Sequence, residues 1–127
     1  ILNSIKPTQY KALKDIVKRR NIVLDAMFDK FKHYEYNIQI KDSLCEELEQ
    51  YEYISVDELQ PEMSIKYIDL YNFFKLSLSK TYKIFEITKK KIKLRNRLYD
   101  ININKKIFFR KLSNETLVKM KLMEYMD

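Results

Sequence analysis

The amino-acid sequence predicts an α+β fold, with N-terminal helices, then an antiparallel β-meander or small β-barrel, and a C-terminal helix. Apolar residues recur at helical spacing early in the chain, whereas short β-branched and aromatic segments follow from residue 53 onward. The length of 127 residues and the apolar content of 46% suit a single domain that buries its own core. We divide this domain, residues 1–127, into a mainly helical part, a sheet or barrel part and a C-terminal helix, at 1–52, 53–112 and 113–127.

The first helix is predicted over residues 8–33. Its apolar positions, from Leu13 to Phe31, recur at the spacing of successive helical turns and define one buried face. Residues 34–40 alternate between large apolar and polar side chains. That alternation predicts a connector or a short strand after the helix.

Capping residues predict two further helices. Ser43, with a glutamate three residues later, is typical of a capping box, so we expect a short acidic helix over about 43–50. A final helix is expected over about 114–126, capped by Ser113 or Asn114. We expect this last helix to cover an open edge of the sheet.

The part of the chain between these helices predicts five to seven short antiparallel strands. The candidate segments are 53–56, 64–70, 73–79, 82–88, 91–95, 99–104 and 106–112. Hairpin turns are expected at Asn96-Arg97 and Asn104-Lys105. Asn is the best substitute for Gly where the backbone needs a positive φ, and the chain contains no Gly.

The composition excludes several kinds of catalytic and metal site. Without Gly the chain has neither a phosphate-binding P-loop nor a dinucleotide-binding turn. One His (His33) and one Cys (Cys45) cannot build a zinc finger, and a His33–Cys45 catalytic pair would lack an oxyanion motif. We therefore expect no enzyme, no cofactor and no metal. The sequence has no apolar run long enough for a transmembrane helix, and a lone Cys suits a reducing compartment, cytoplasmic or nuclear.

Residues 54–68 resemble a known type of small barrel. They combine a strand, an acidic-Leu-x-Pro turn at 58–61 and a second strand that begins with apolar residues. This order resembles the entry into SH3-like or Tudor-like small β-barrels. Glu62 stands where those barrels prefer Gly, and this difference bears on the tight turn.

A second resemblance rests on composition. The chain is rich in Lys, Ile, Tyr and Asn, whose codons are A/T-rich, and poor in residues with G/C-rich codons. Together with the barrel-like segment, this composition resembles that of small basic proteins of large DNA viruses with AT-rich genomes. The resemblance implies a binding or assembly role and adds the virion as a location. It assigns no catalytic residue.

Charge is divided unevenly along the chain. Residues 1–63 hold nine bases and twelve acids, a net charge of −3, and residues 64–127 hold sixteen bases and six acids, a net charge of +10. Such asymmetry indicates an interaction surface or a module that docks head to tail. The alternative is that the acidic stretch packs beside the basic one and neutralises it internally.

The strongest candidate site is a basic strand region. On a strand, Lys91, Lys93 and Arg95 share one face while Ile92 and Leu94 point to the other. The candidate nucleic-acid or partner-binding residues are Lys89, Lys90, Lys91, Lys93, Arg95, Arg97, Lys105, Lys106, Arg110 and Lys111. Aromatic residues that could stack bases beside them are Tyr82, Phe85, Tyr99, Phe108 and Phe109.

Two other interpretations of this basic face remain. Alternating Lys residues are also the ordinary solvated face of a strand, and they protect sheet edges from aggregation. Peripheral contact with an anionic membrane surface is the third reading. A further basic stretch lies on the first helix, at Lys11, Lys14, Lys18, Arg19 and Arg20, where packing on its own domain is the expected role.

The sequence thus predicts a non-enzymatic structural or assembly protein that acts through protein contacts, with a protein partner or a homo-oligomer. Its acidic docking face would consist of Glu46, Glu47 and Glu49. The alternative is a module that binds DNA or RNA without sequence specificity, using 89–97 and 105–111.

Overall fold

The computed structural model describes residues 7–126 and confirms the α+β fold. The helices are α1 (Pro7–Lys30), α2 (Glu35–Glu47) and α3 (Asn114–Met126). The strands are β1 (Tyr51–Ile54), β2 (Ser64–Asp69), β3 (Tyr82–Ile87), β4 (Lys91–Leu94), β5 (Ile101–Asn102) and β6 (Lys106–Lys111). Short 3-10 turns follow β1 and β2, at Val56–Glu58 and Leu70–Asn72.

The first helix is confirmed, but the prediction of a connector or short strand over 34–40 is wrong because residues 35–40 belong to α2. The alternation along this segment does not reflect the buried face of a strand, because the apolar side chains Tyr36 and Ile38 are exposed. The buried side chains of α2 and the turn after it are Asn37, Leu44 and Leu48, which lie at helical spacing. A polar residue at the first of these positions hid the helical period from the sequence pattern.

The structure has a capping box at Ser55 and not at Ser43, the predicted position. Ser43 lies inside α2, so the predicted short helix over 43–50 is wrong. The same Ser-x-x-Glu pattern forms a capping box at Ser55. There the amide and the hydroxyl of Ser55 donate to Glu58 Oε1 at 3.1 and 2.8 Å, at the start of a 3-10 turn.

Most predicted strands are confirmed, because β2 to β6 lie inside the predicted segments and β1 begins two residues before its segment. The prediction of a strand over 73–79 is wrong. Leu78 forms an isolated bridge with Ile68, and the residues before it form turns and irregular backbone. Part of this backbone bonds to a helix side chain, because Leu76 N donates to Asn37 Oδ1 at 2.8 Å.

All strand pairs are antiparallel, in the order β1-β6-β2-β3-β4-β5. Strands β2 to β5 form a meander, and β6 returns between β1 and β2. Three strands thus separate β5 from β6, roughly 19 Å across a flat sheet. The chain from Asn102 to Lys106 reaches at most about 14 Å. The sheet is therefore strongly curled.

Curling gives the sheet two faces with different neighbours. Every strand contributes to a cluster on the concave face, whose buried residues are Ile54, Leu59, Ile65, Ile84, Ile92, Leu94, Ile101 and Phe108. The outer face of β1, β6 and β2 packs on α1, α2 and the loop after β2. That cluster contains Leu24, Met27, Phe28, Leu44, Leu48, Tyr51, Ile68, Leu76 and Phe109. Each such side chain contributes roughly 1.5–3 kcal/mol when fully buried.

Helix α3 begins as predicted, because Thr116 N donates to Ser113 Oγ at 3.2 Å. Its packing differs from the expectation of a sheet-edge cover. Met123 of α3 packs with Leu13 of α1 in a separate buried cluster. The helix therefore extends the helical layer.

Among residues 7–126, three adopt the left-handed backbone conformation: Glu62 at φ 74°, Asn96 at φ 61° and Lys105 at φ 53°. Asn96 confirms the predicted turn there. In the Asn104-Lys105 turn the lysine, not the asparagine, has the positive φ. Glu62 likewise takes the position where the small barrels prefer Gly. For residues with a Cβ this conformation costs roughly 1–2 kcal/mol.

Candidate nucleic-acid interface

The outer side of the β3–β4 hairpin forms an exposed surface, which we call the hairpin face. It consists of six exposed residues, Lys83, Phe85, Glu86, Lys91, Lys93 and Arg95. The alternate residues of the two strands point into the concave core. A bulge between Ile84 and Glu86 changes the register of β3. Strand β4 therefore has one charged, exposed side and one buried side, as predicted.

One end of the hairpin face is organised around Glu62. The Arg95 guanidinium donates to Glu62 Oε1, and Lys83 Nζ lies 3.6 Å from Glu62 Oε2. The hydrogen bond from Arg95 lowers the pKa of Glu62. Arg95 Cζ also lies 5.0 Å from the centroid of the Phe85 ring, 48% of whose residue surface is exposed. The carboxylate thus holds a guanidinium beside an accessible aromatic ring.

The lysines at the other end are free of ion pairs with residues 7–126. Lys89, Lys90 and Lys91 are exposed around the β3–β4 turn, and Lys93 is exposed on β4. Glu86 lies opposite Lys93 in the ladder and is exposed. These four lysines outnumber this one carboxylate, so the local charge is positive, which favours an anionic ligand.

Curling brings one residue of the second predicted group, Lys105, near this end. Ile103 N donates to the carbonyl oxygen of Lys90 at 3.0 Å. Leu70 N donates to the carbonyl oxygen of Lys105 at 2.8 Å. The turns that carry Lys90 and Lys105 are therefore neighbours along one rim of the sheet.

Several other predicted site residues have structural partners instead. Lys106 is largely buried, with its Nζ 3.9 Å from Asp69, and Arg110 pairs with Glu52 at 3.0 Å. Arg110 and Lys111 lie on β6, which β2 and β3 separate from β4. Of the predicted group 105–111, the structure therefore places only Lys105 next to the basic end of the hairpin face.

Arg97 is held by two tyrosines. It donates to Tyr67 Oη at 2.8 Å, and its Cζ lies 4.9 Å from the Tyr82 ring centroid. The bond to Tyr67 raises the pKa of Arg97. Among the other aromatic candidates, Phe108 and Phe109 are buried in the two clusters and cannot meet a ligand, whereas Tyr99 is exposed.

The acids between residues 41 and 62 also differ in whether they pair with a base of the described chain. Glu46 and Glu47 are exposed on the last turn of α2, and Glu49 is exposed just after it. Within the described chain these three form no ion pair. Other acids between residues 41 and 62 do pair with bases, so the neutralisation within the molecule is partial.

Sequence reasoning missed the burial of Arg20, which is 8% exposed. Its Nη1 lies within 2.9 to 3.1 Å of three backbone carbonyl oxygens, those of Leu48, Glu49 and Tyr51. Burial lowers the pKa of Arg20. A signal was available, because position 20 continues the apolar stripe of α1 at helical spacing. Arg20 fastens α1 to the connection before β1.

The two residues of the alternative catalytic pair are far apart. His33 is exposed beside Tyr34, with ring centroids 4.1 Å apart. Cys45 lies ten residues beyond the start of α2, about 15 Å along its axis. Burial raises the pKa of the Cys45 thiol. These two side chains therefore form no pair, in agreement with the sequence argument against one.

Residues 7–126 contain neither a candidate metal site nor a candidate membrane-spanning helix. No group of three metal-binding side chains comes together there. The helices of that part of the chain are too short or too polar to cross a bilayer. Comparison with known proteins found no family model, no curated protein and no solved structure that matches the chain.

Proposed function

We propose that this protein is a non-enzymatic module that binds nucleic acid through the hairpin face, without reading base sequence. One observation supports it above all: the outer side of β3 and β4 is exposed and basic, whereas the outer side of β1, β6 and β2 is covered by helices. Rows of lysines bind phosphates mainly through release of counterions. The exposed Phe85 ring adds a surface on which a base can stack.

The test is fluorescence anisotropy with labelled single-stranded and double-stranded oligonucleotides at two salt concentrations. Neutralising three phosphates predicts a log–log salt slope of about −2 to −3. The variant is Lys91→Glu with Lys93→Glu, which leaves the Arg95–Glu62 pair intact. We expect its affinity to fall about tenfold or more.

The matched control is Lys18→Glu with Lys121→Glu, which changes net charge equally at exposed helix positions. It should change the affinity much less than the hairpin variant. Equal losses in both variants would mean that binding follows net charge alone. No binding by the folded wild-type protein at low salt would contradict the proposed function.

The second candidate is assembly, in which the hairpin face of one copy meets Glu46, Glu47 and Glu49 of another. It is favoured by the absence of ion pairs at these three acids within the described chain. Such a head-to-tail contact generates rings or filaments. It also agrees with the role that the resemblance to small viral proteins implies.

A charge exchange tests the assembly. Sedimentation velocity should detect salt-sensitive oligomers of the wild-type protein. Glu46→Lys with Glu47→Lys, or Lys91→Glu with Lys93→Glu, should each give monomers, and mixing the two variants should restore a complex. Monomeric wild-type protein at low salt would contradict this candidate and leave the nucleic-acid proposal standing.

A further inference from the structure

The loop after β2 exposes three aromatic side chains within four residues of the chain. Tyr71, Phe73 and Phe74 keep 51%, 40% and 53% of their surface accessible. We call these three residues the aromatic loop. Exposed apolar residues in a group of this kind mark an interaction site more often than isolated ones do.

A buried side chain of α2 fixes the backbone of this loop. Asn37 is fully buried, and its Nδ2 donates to the carbonyl oxygen of Phe73 at 2.7 Å. Its Oδ1 accepts from Leu76 N at 2.8 Å. Burial of an amide is tolerated when its hydrogen bonds are satisfied, and these two bonds hold the chain on both sides of Phe74.

The rings also support one another. The Phe73 ring packs against Phe31 and Tyr34, each with centroids 5.7 Å apart. Phe74 meets Phe73 at 5.8 Å with an interplanar angle of 88°. The connection between α1 and α2, together with Asn37 of α2, thus supports the loop while Phe74 stays half exposed. Such an arrangement pre-organises a binding surface.

Lysines adjoin the aromatic loop. Lys105 Nζ and Lys106 Nζ lie 4.9 and 5.7 Å from the Tyr71 ring centroid. Lys105 lies in the turn that borders Lys90, so this surface continues into the basic end of the hairpin face. An anionic ligand with flat apolar groups fits both features.

We infer that the aromatic loop is a stacking site for unpaired bases, which makes single-stranded nucleic acid the ligand class. The inference rests on the proposed function, because the hairpin face supplies the phosphate contacts. Bases of a duplex are already stacked inside it, whereas bases of a single strand can stack on protein rings. Lys105 lies where the phosphates between the two surfaces would pass.

Two oligonucleotides of 12 units, about the site size of one small barrel, separate stacking from charge. One is oligothymidylate, and the other is an abasic strand with the same number of phosphates. The wild-type protein should prefer oligothymidylate by about fivefold or more for each ring that stacks. Tyr71→Ala with Phe74→Ala should abolish this preference and leave the affinity for the abasic strand unchanged.

The control Tyr125→Ala removes an exposed ring on α3 and should keep the preference. Phe74→Leu keeps an apolar side chain without a π face, so it should remain folded by circular dichroism and still lose part of the preference. Weak binding of both oligonucleotides by the wild-type protein would contradict the proposed function itself. Equal and tight binding of both would overturn the stacking site alone.

Two other results would overturn the stacking site. A parallel loss of affinity for both strands in the Tyr71 and Phe74 variant would mean that the rings support the fold. Binding to phosphatidylserine-containing vesicles that depends on Phe74, without any preference for oligothymidylate, would assign the loop to a lipid surface.

Discussion

The outer face of the curled sheet has two regions that follow the same strand geometry and have opposite surroundings. On β6 the outer positions include Ile107 and Phe109, and two helices cover them. On β4 the outer positions are Lys91 and Lys93, which are exposed. The residue types at the outer positions therefore determine where the helical layer ends. Burying those lysines without partners would cost more than helix packing could return.

Removing one aromatic ring from each region should give the largest difference in the free energy of unfolding. Phe109→Ala empties a fully buried position between the sheet and the helices and should lower the free energy of unfolding by about 3–5 kcal/mol. Phe85→Ala on the hairpin face should change it by less than about 1 kcal/mol. Urea unfolding of both variants measures the difference. Similar losses would contradict the division of the outer face into a covered and a free region.

The two neighbouring arginines of α1 differ in the same way, because Arg20 is buried and Arg19 is exposed. Arg20→Met keeps most of the side-chain volume but removes the donor from three backbone carbonyls, which should cost about 2–3 kcal/mol. Arg19→Met breaks an exposed ion pair with Glu58 and should cost about 1 kcal/mol or less. The midpoints of urea unfolding measure both values. An equal cost would mean that the buried arginine does not fasten α1 to the chain before β1.

Arg20 also illustrates how far the sequence could predict this molecule. Periodicity located α1, α3 and most strands, because these follow regular alternation or helical spacing. It failed at α2, where a buried Asn replaces an apolar residue in the pattern. It also failed at residues 73–79, whose strand-like composition reflects exposed rings held by Asn37. Such contacts join distant parts of the chain, and neither composition nor spacing records them.

The candidate site was predictable to a similar extent. Alternation on β4 identified Lys91, Lys93 and Arg95 as one face. The role of Glu62, which lies 33 residues from Arg95 in the chain, depends on the meander bringing β4 to the turn before β2. The separation of Arg110 from that face depends on the return of β6 between β1 and β2. Strand order could not be deduced from the local pattern.

A smaller effect is expected where the rim of the sheet is strained. Lys105 has φ 53°, a conformation that Asn tolerates better. Lys105→Asn should raise the free energy of unfolding by up to about 1 kcal/mol and weaken binding of single-stranded DNA. Lys111→Asn, an exposed lysine in a strand, is the control and should not stabilise the protein. Loss of stability in the Lys105 variant would show that the lysine side chain itself supports the turn.

The smallest effect concerns a carboxylate that fastens the covered region, and it appears in the pH dependence of stability. Hydrogen bonds from the Ser55 hydroxyl and amide, followed by one from Arg19, lower the pKa of Glu58 from 4.5 to about 2. Because the folded-state pKa lies below the unfolded value, the stabilisation is complete above pH 4.5 and is lost as the pH falls to about 2. Glu58→Gln should therefore flatten the fall in melting temperature across this interval. Glu47→Gln, which removes an exposed carboxylate from the end of α2, should keep the wild-type slope. If both variants keep it, the hydrogen bonds of Glu58 contribute nothing to the stability of the protein.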